Sequence, residues 1–140
     1  MIFMNTRIKS KSLPAFTLTE LLVVLVIIGI LVLLALPKLM PLISKAKSTE
    51  AQLQLGHLQT LEKSYFYMKS KYSASFEDIS FEQEKLVTEG GNANYKVEII
   101  EASPTGFKAR ATAVVDFNGN GKFNVWEIDQ DKNLVEVTKD

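Results

Sequence analysis

Between Leu21 and Leu36 the chain carries no charged residue, and every side chain there except Gly29 and Ala35 is a large aliphatic. Counted from Phe16 the stretch is 21 residues long. As a helix it would reach roughly 31 Å at about 1.5 Å per residue, enough to cross a hydrocarbon core. Ahead of it lie Arg7, Lys9 and Lys11, with no acid in the first 15 residues. Cations on this side keep the N-terminus cytoplasmic and send the C-terminal bulk across the membrane. A secretory signal would show a shorter apolar run and a small-residue cleavage site after it. No A-x-A-like site stands before Pro37, so the plain reading is an uncleaved signal anchor.

Glu20 disturbs that reading. It falls inside the apolar stretch, where a carboxylate costs about 2.5–3.5 kcal/mol near the bilayer centre and implies a partner. Lys11 and Lys38 are too distant in sequence to serve, so a lone anchor gives Glu20 nothing to do. Ala15-Phe16-Thr17-Leu18-Thr19-Glu20, behind a short basic leader and ahead of the apolar run, resembles the cleavage segment of type IV prepilins and type II secretion pseudopilins. The resemblance implies that a membrane-embedded aspartic prepilin peptidase cuts between Ala15 and Phe16 and methylates the new Phe16 amino group. It implies that Glu20 of one subunit pairs with the terminal ammonium of a neighbour in a filament. Opposite charges in a low dielectric attract strongly enough to set such a register. Ala15 departs from the glycine usual at that position; being small as well, it is compatible with cutting at a lower rate.

Pro37 and Pro41 follow the run, and each removes a helical hydrogen bond, so a bend is expected there. Ala51, Leu55, Leu58, Leu61, Tyr65, Met68 and Tyr72 then recur at spacings of three and four, predicting one helix continuing to about Ser70. Residues 73–94 are poorly periodic; Phe76, Ile79 and Phe81 are expected to pin them to the helix, with a turn at Gly90-Gly91-Asn92. From Tyr95 the period becomes two. Strands are predicted at Tyr95–Ile100, Phe107–Val115, Phe123–Val125 and Leu134–Val137, joined by turns rich in Gly, Asn and Asp. The fold class is α+β: a long N-terminal helix, its first half transmembrane, packed on a small four-stranded antiparallel sheet. Ala109, Ala111 and Ala113 leave room for that helix. The domains read as a leader over 1–15, an apolar helix over 16–44 and an exported domain over 45–140.

The segment from Asp116 to Glu127 fits D-x-[DN]-x-[DN]-G-x5-E, the spacing of a calcium loop. Asp116, Asn118, Asn120, the Lys122 carbonyl and Glu127 are the candidate oxygen ligands, with Asn124 or Asp129 able to add one more. Only Asp116 and Glu127 are anionic, which predicts weak affinity. A tight turn between strands needs no metal and explains the same residues. Trp126 reads as a core anchor.

The sequence contains no cysteine and one histidine, His57, which excludes disulfides, thiolate or multi-histidine metal sites and a cysteine nucleophile. The 16 basic and 16 acidic residues balance, arguing against a broad basic nucleic-acid surface. Loss of the three leader cations would leave the remainder at −3. No nucleophile–base pair or phosphate loop appears, so no catalytic residue is nominated. The function that the resemblance to prepilins implies, with the partners that go with it, is non-enzymatic: a subunit of a type IV pilus or a secretion pseudopilus. Its partners would be copies of itself or minor pilins, the prepilin peptidase, an assembly platform and a cytoplasmic ATPase. It would begin as a single-pass inner-membrane precursor and end in a periplasmic or surface filament. The alternative is an uncleaved single-span anchor carrying a calcium- or ligand-binding module.

Overall fold

The computed structural model describes Ile2, Ser12 and residues 14–140. The leader cations Arg7, Lys9 and Lys11 lie outside the described residues. One helix, α1, spans Leu18–Lys69, 52 residues without interruption. A short helix α2 (Phe76–Ile79) follows. Four strands come next: β1 (Tyr95–Ala102), β2 (Phe107–Ala113), β3 (Val125–Asp129) and β4 (Leu134–Thr138). The strands pair antiparallel in chain order, β1-β2-β3-β4, so the predicted meander and the α+β class hold. The chain divides into two units, residues 1–36 and 37–140.

In the first unit the helix is apolar all round and exposed on every side. It carries the one stretch among the described residues long and apolar enough to cross a membrane. Such a surface suits lipid or the interior of an assembly. Pro37 and Pro41 lie within α1. Neither can donate a backbone hydrogen bond, yet the helix is continuous through both.

In the second unit α1 is one-sided. Ser44, Ser48, Ala51, Leu55, Leu58, Gln59 and Glu62 are buried, a stripe at spacings of three and four. Leu55 and Leu58 join Tyr95, Val97, Phe107, Ala109, Ala111 and Ile128 in one core. β2 alternates cleanly, with Phe107, Ala109, Ala111 and Ala113 turned inward. Ala109 and Ala111 are fully buried, and Ala111 stands opposite Trp126 in the ladder. Small side chains there let a helix approach the sheet while the larger residues on either side fill the remaining space.

The far end of the predicted stripe is corrected. Met68 is exposed, whereas Glu62, not among the stripe residues named from the sequence, is wholly buried. Drift of a 3.6-residue period against the sheet face brings Glu62 and Phe66 round towards the core as Met68 leaves it. The helix stops at Ser70, whose φ of 55° is left-handed and whose N–H bonds the Phe66 carbonyl. Tyr72 then stacks on Phe66 and meets Phe107. As predicted, Ile79 and Phe81 are buried and Phe76 packs beside them, tying residues 73–94 to the core. Gly90 turns the chain with φ of 84°.

Three polar side chains act as backbone partners, the first two of them in this connection. Glu50 accepts the Asn94 N–H and side-chain amide, both at 2.8 Å. Gln83 accepts the Val97 N–H at 2.8 Å and donates to the Tyr95 carbonyl at 3.1 Å. It thereby occupies the edge of β1 that no strand covers. Gln59 donates to the Gln130 carbonyl.

The third strand is also corrected: Trp126-Glu127-Ile128-Asp129 form it with Val125, and Phe123 is exposed. The N–H groups of Gly119 to Lys122 bond side chains within their own turn, so they cannot enter the ladder. The Asn124 carbonyl accepts the Ala113 N–H, and regular pairing begins at Val125.

Gly56 sits within α1, and a methyl group there would meet nothing within 4 Å. Glycine in a helix costs about 0.5–1 kcal/mol relative to alanine. Gly56→Ala is expected to stabilise the fold by about that amount, measured by chemical denaturation of the full chain in detergent.

Candidate functional site

Pro14 to Thr17 are non-helical and exposed, so the Ala15–Phe16 bond lies in open chain immediately before α1. Phe16 is 83% exposed. Thr17 is the residue before the first helical position. Its hydroxyl accepts the Glu20 N–H at 3.2 Å, and its own N–H donates to Glu20 Oε2 at 2.8 Å. The two bonds form a reciprocal capping box, which satisfies donors that a helix start otherwise leaves open.

This corrects one expectation. Glu20 has a task in a single chain: it closes the first turn of its own helix. The spacing T-x-x-E was legible in the sequence, but the apolar context drew attention to the charge instead. Among the described residues Glu20 Oε1 makes no hydrogen bond, so one oxygen caps and the other is free. Phe16, Thr19, Glu20, Val23 and Val24 line an open groove beside it.

The 116–127 loop is folded around Asp116. Its Oδ1 accepts N–H groups from Gly119 at 2.7 Å and Asn120 at 3.2 Å, and its Oδ2 accepts that of Gly121 at 2.6 Å. Asn118 accepts the Asn120 N–H, and Asn120 accepts that of Lys122. Gly119 and Gly121 take the positive φ angles, 76° and 81°, that such a turn requires. The Gly121 N–H above all holds the Asp116 carboxyl below its usual range; desolvation opposes it, and the N–H groups of Gly119, Asn120 and Asn118 add smaller lowering effects.

Glu127 is elsewhere. It lies on β3 opposite Arg110, whose Nε donates to Glu127 Oε1 at 2.8 Å and whose Nη2 reaches the same oxygen. Asn124 is buried and committed: it accepts from the Tyr95 hydroxyl and the Trp126 indole, and donates to Glu136 and the Thr138 carbonyl. Asp129 organises the next turn, accepting from Asp131 and twice from Asn133. The structure thus gathers Asp116, Asn118, Asn120 and Lys122 into one turn and leaves Glu127, Asn124 and Asp129 with other partners. As folded, Glu127 is paired with Arg110 while the other four candidate ligands share the Asp116 turn. Trp126 is half-buried against the core and anchored through Asn124.

No family model matches the chain. Over 82 residues, 59% of its length, it is 38% identical to the type IV major pilin protein PilA of Myxococcus xanthus. It spans only about a third of that relative's length, 36%. A type IV major pilin is therefore among the proteins this chain resembles in sequence.

Thr17→Ala is expected to loosen the start of α1, at about 0.5–2 kcal/mol for a lost N-cap. Faster amide exchange at Leu18 to Leu21 would report it, whereas unchanged exchange would contradict the capping box. Asp116→Ala is expected to lower the melting temperature by taking the carboxylate acceptor from the Gly119 and Gly121 N–H groups, while Asn120 keeps its bond to Asn118. Because its carboxyl titrates below the ordinary value, this turn contributes stability above about pH 4 that is lost as the pH falls further.

Proposed function

We propose that this chain is a structural subunit of a type IV pilus-like filament, made as a membrane-spanning precursor and cut between Ala15 and Phe16. The observation that carries the reading is the junction itself. An exposed, non-helical bond between two named residues stands directly before an apolar helix whose first turn holds a carboxylate. The similarity to a type IV major pilin supports it.

A peptidase needs accessible chain outside a helix, and residues 14–17 are exposed and non-helical. Cutting frees the Phe16 amino group for methylation and removes the orienting cations Arg7, Lys9 and Lys11. The apolar first half of α1 then moves from lipid into a bundle of like helices, burying the surface that lipid had covered. Glu20 Oε1, free while Oε2 caps the helix, accepts the Phe16 ammonium of a neighbouring subunit. Charge pairing sets the axial step and apolar packing supplies most of the attraction. The partners in this reading are further copies or minor pilins, the prepilin peptidase, a membrane platform and a cytoplasmic ATPase. The assembled filament lies at the cell surface, or in the periplasm if it belongs to a secretion pseudopilus. Its role is mechanical, and no chemical step is assigned to it.

The rival is an uncleaved anchor bearing a binding module, and the capping box favours it by giving Glu20 a purely local role. Calcium in that module would be held by Asp116, Asn118, Asn120 and the Lys122 carbonyl, and by Glu127 only after release from Arg110. Melting temperatures that rise with millimolar calcium in the parent and not in Asp116→Ala would support that module.

Intact-mass measurement of protein made beside a prepilin peptidase is expected to show a chain starting at Phe16 with one added methyl. Retention of residues 1–15 would refute the filament reading. Glu20→Gln separates the two roles of this side chain, because the amide oxygen still caps while the charge is gone. Filament assembly is expected to fail in Glu20→Gln although α1 begins normally; normal filaments from this variant would remove the charge-pairing role.

A further inference from the structure

Glu62 is a carboxylate with 0% exposure in the core of the 37–140 unit. Its Oε2 accepts the Ser73 N–H at 3.0 Å. Its Oε1 is equally buried and has no hydrogen-bond partner among the described residues. Ser73, itself buried, donates its hydroxyl to Asp78 Oδ2 at 2.7 Å and accepts the Ser75 N–H at 3.0 Å. One carboxyl of α1 therefore holds the first turn of the connection that crosses the end of the helix, and a second carboxyl sits one serine away.

No cation compensates this arrangement among the described residues. On α1, the residues one turn away are Leu58, Gln59, Tyr65 and Phe66, none of them charged. Gln59 is engaged with the Gln130 carbonyl, and Lys63 lies over the Phe66 ring at 5.9 Å. On the connection, Tyr72 is stacked on Phe66, and Asp78 is the charge that acts on Glu62. On the sheet, the inward residues Val97, Phe107, Ala109 and Ala111 cannot titrate, and the Tyr95 hydroxyl is spent on Asn124. A buried carboxylate with one orphan oxygen and a like charge nearby is costly, and a neutral carboxyl in the same place much less so.

We propose that Glu62, Ser73 and Asp78 form a proton-operated latch that fastens residues 70–79 to the end of α1 in acid and loosens them as the pH rises. The occupant of the orphan oxygen is a proton. Burial first, and the Asp78 charge in addition, push the Glu62 carboxyl above its ordinary range, against the opposing Ser73 N–H. The folded state therefore binds this proton more tightly than the unfolded chain does. The stabilisation is complete below the ordinary glutamate value of about 4.3 and is lost as the pH rises through the folded value. Asp116 and Asp129 act with the opposite sign and only at lower pH, so the two effects occupy separate windows. The latch is independent of the filament reading, since it uses none of residues 15–20.

Denaturation of the full chain in detergent micelles from pH 4.5 to 8 tests it. Within the latch window the folding constant of the parent is expected to fall by up to tenfold per pH unit, while that of Glu62→Gln stays level. Amide exchange at Ser73 and Ser75, corrected for its intrinsic pH dependence, should rise in the parent and not in Glu62→Gln. Asp78→Asn should move the parent's transition to lower pH. If Glu62→Gln does not fold, the carboxyl carbon shift of Glu62 in the parent gives the midpoint directly. A midpoint at the ordinary glutamate value, or parallel stability curves for parent and Glu62→Gln, would overturn the proposal.

Discussion

The burial of one stripe of α1 against the alanine-lined face of β2 is the contact on which the 37–140 unit rests. Leu55 and Leu58 are fully covered in the same core as Ala109 and Ala111, whose short side chains keep the sheet face low. The other inward residues complete that core. Tyr95 and Ile128 flank it, and Tyr72 with Phe107 closes one end. The same helix, in residues 18–36, has no sidedness at all. One helix therefore meets two kinds of surroundings, and the change from an all-round apolar surface to a single stripe marks where one gives way to the other.

With no cysteine and no metal cluster among the described residues, the domain's loops are held by polar side chains acting as backbone substitutes. Asp116 gathers three N–H groups, Glu50 fixes Asn94, and Asn124 joins Tyr95, Trp126, Glu136 and Thr138 at one buried point. Each bond contributes only about 0.5–1.5 kcal/mol net, yet leaving a buried group such as the Asn124 side chain unpaired would cost more. Asp116 thus finds the donors of its own turn, whereas Asn124 joins residues distant in the chain.

Much of this was legible in the sequence. The charge-free run, the strand alternation from Tyr95 and the spacing of Ala51, Leu55 and Leu58 each follow from a local period, and each was realised. Three features were not local. The register of α1 beyond Leu61 is set by the sheet, so Glu62 replaced Met68 in the buried stripe. β3 began two residues later than its apolar pattern suggested, because the Asp116 turn had already taken the preceding N–H groups. Glu127 fitted a ligand spacing along the chain, but its neighbour across the ladder is Arg110, which no linear pattern reveals. At the start of α1 the position was reversed. The capping box was written plainly as Thr17 and Glu20, and the unusual charge obscured it.

The side chain of Gln83 stands where a fifth strand would begin, satisfying the outward N–H of Val97 and carbonyl of Tyr95. The opposite margin, β4, has no such guard among the described residues, and Val135 and Val137 are exposed along it. A sheet stoppered on one side and open on the other has polarity. Gln83 obstructs further backbone pairing at the start of the β1 edge, and among the described residues nothing equivalent stands at β4, so the domain has a grain that its antiparallel ladder alone would not give it.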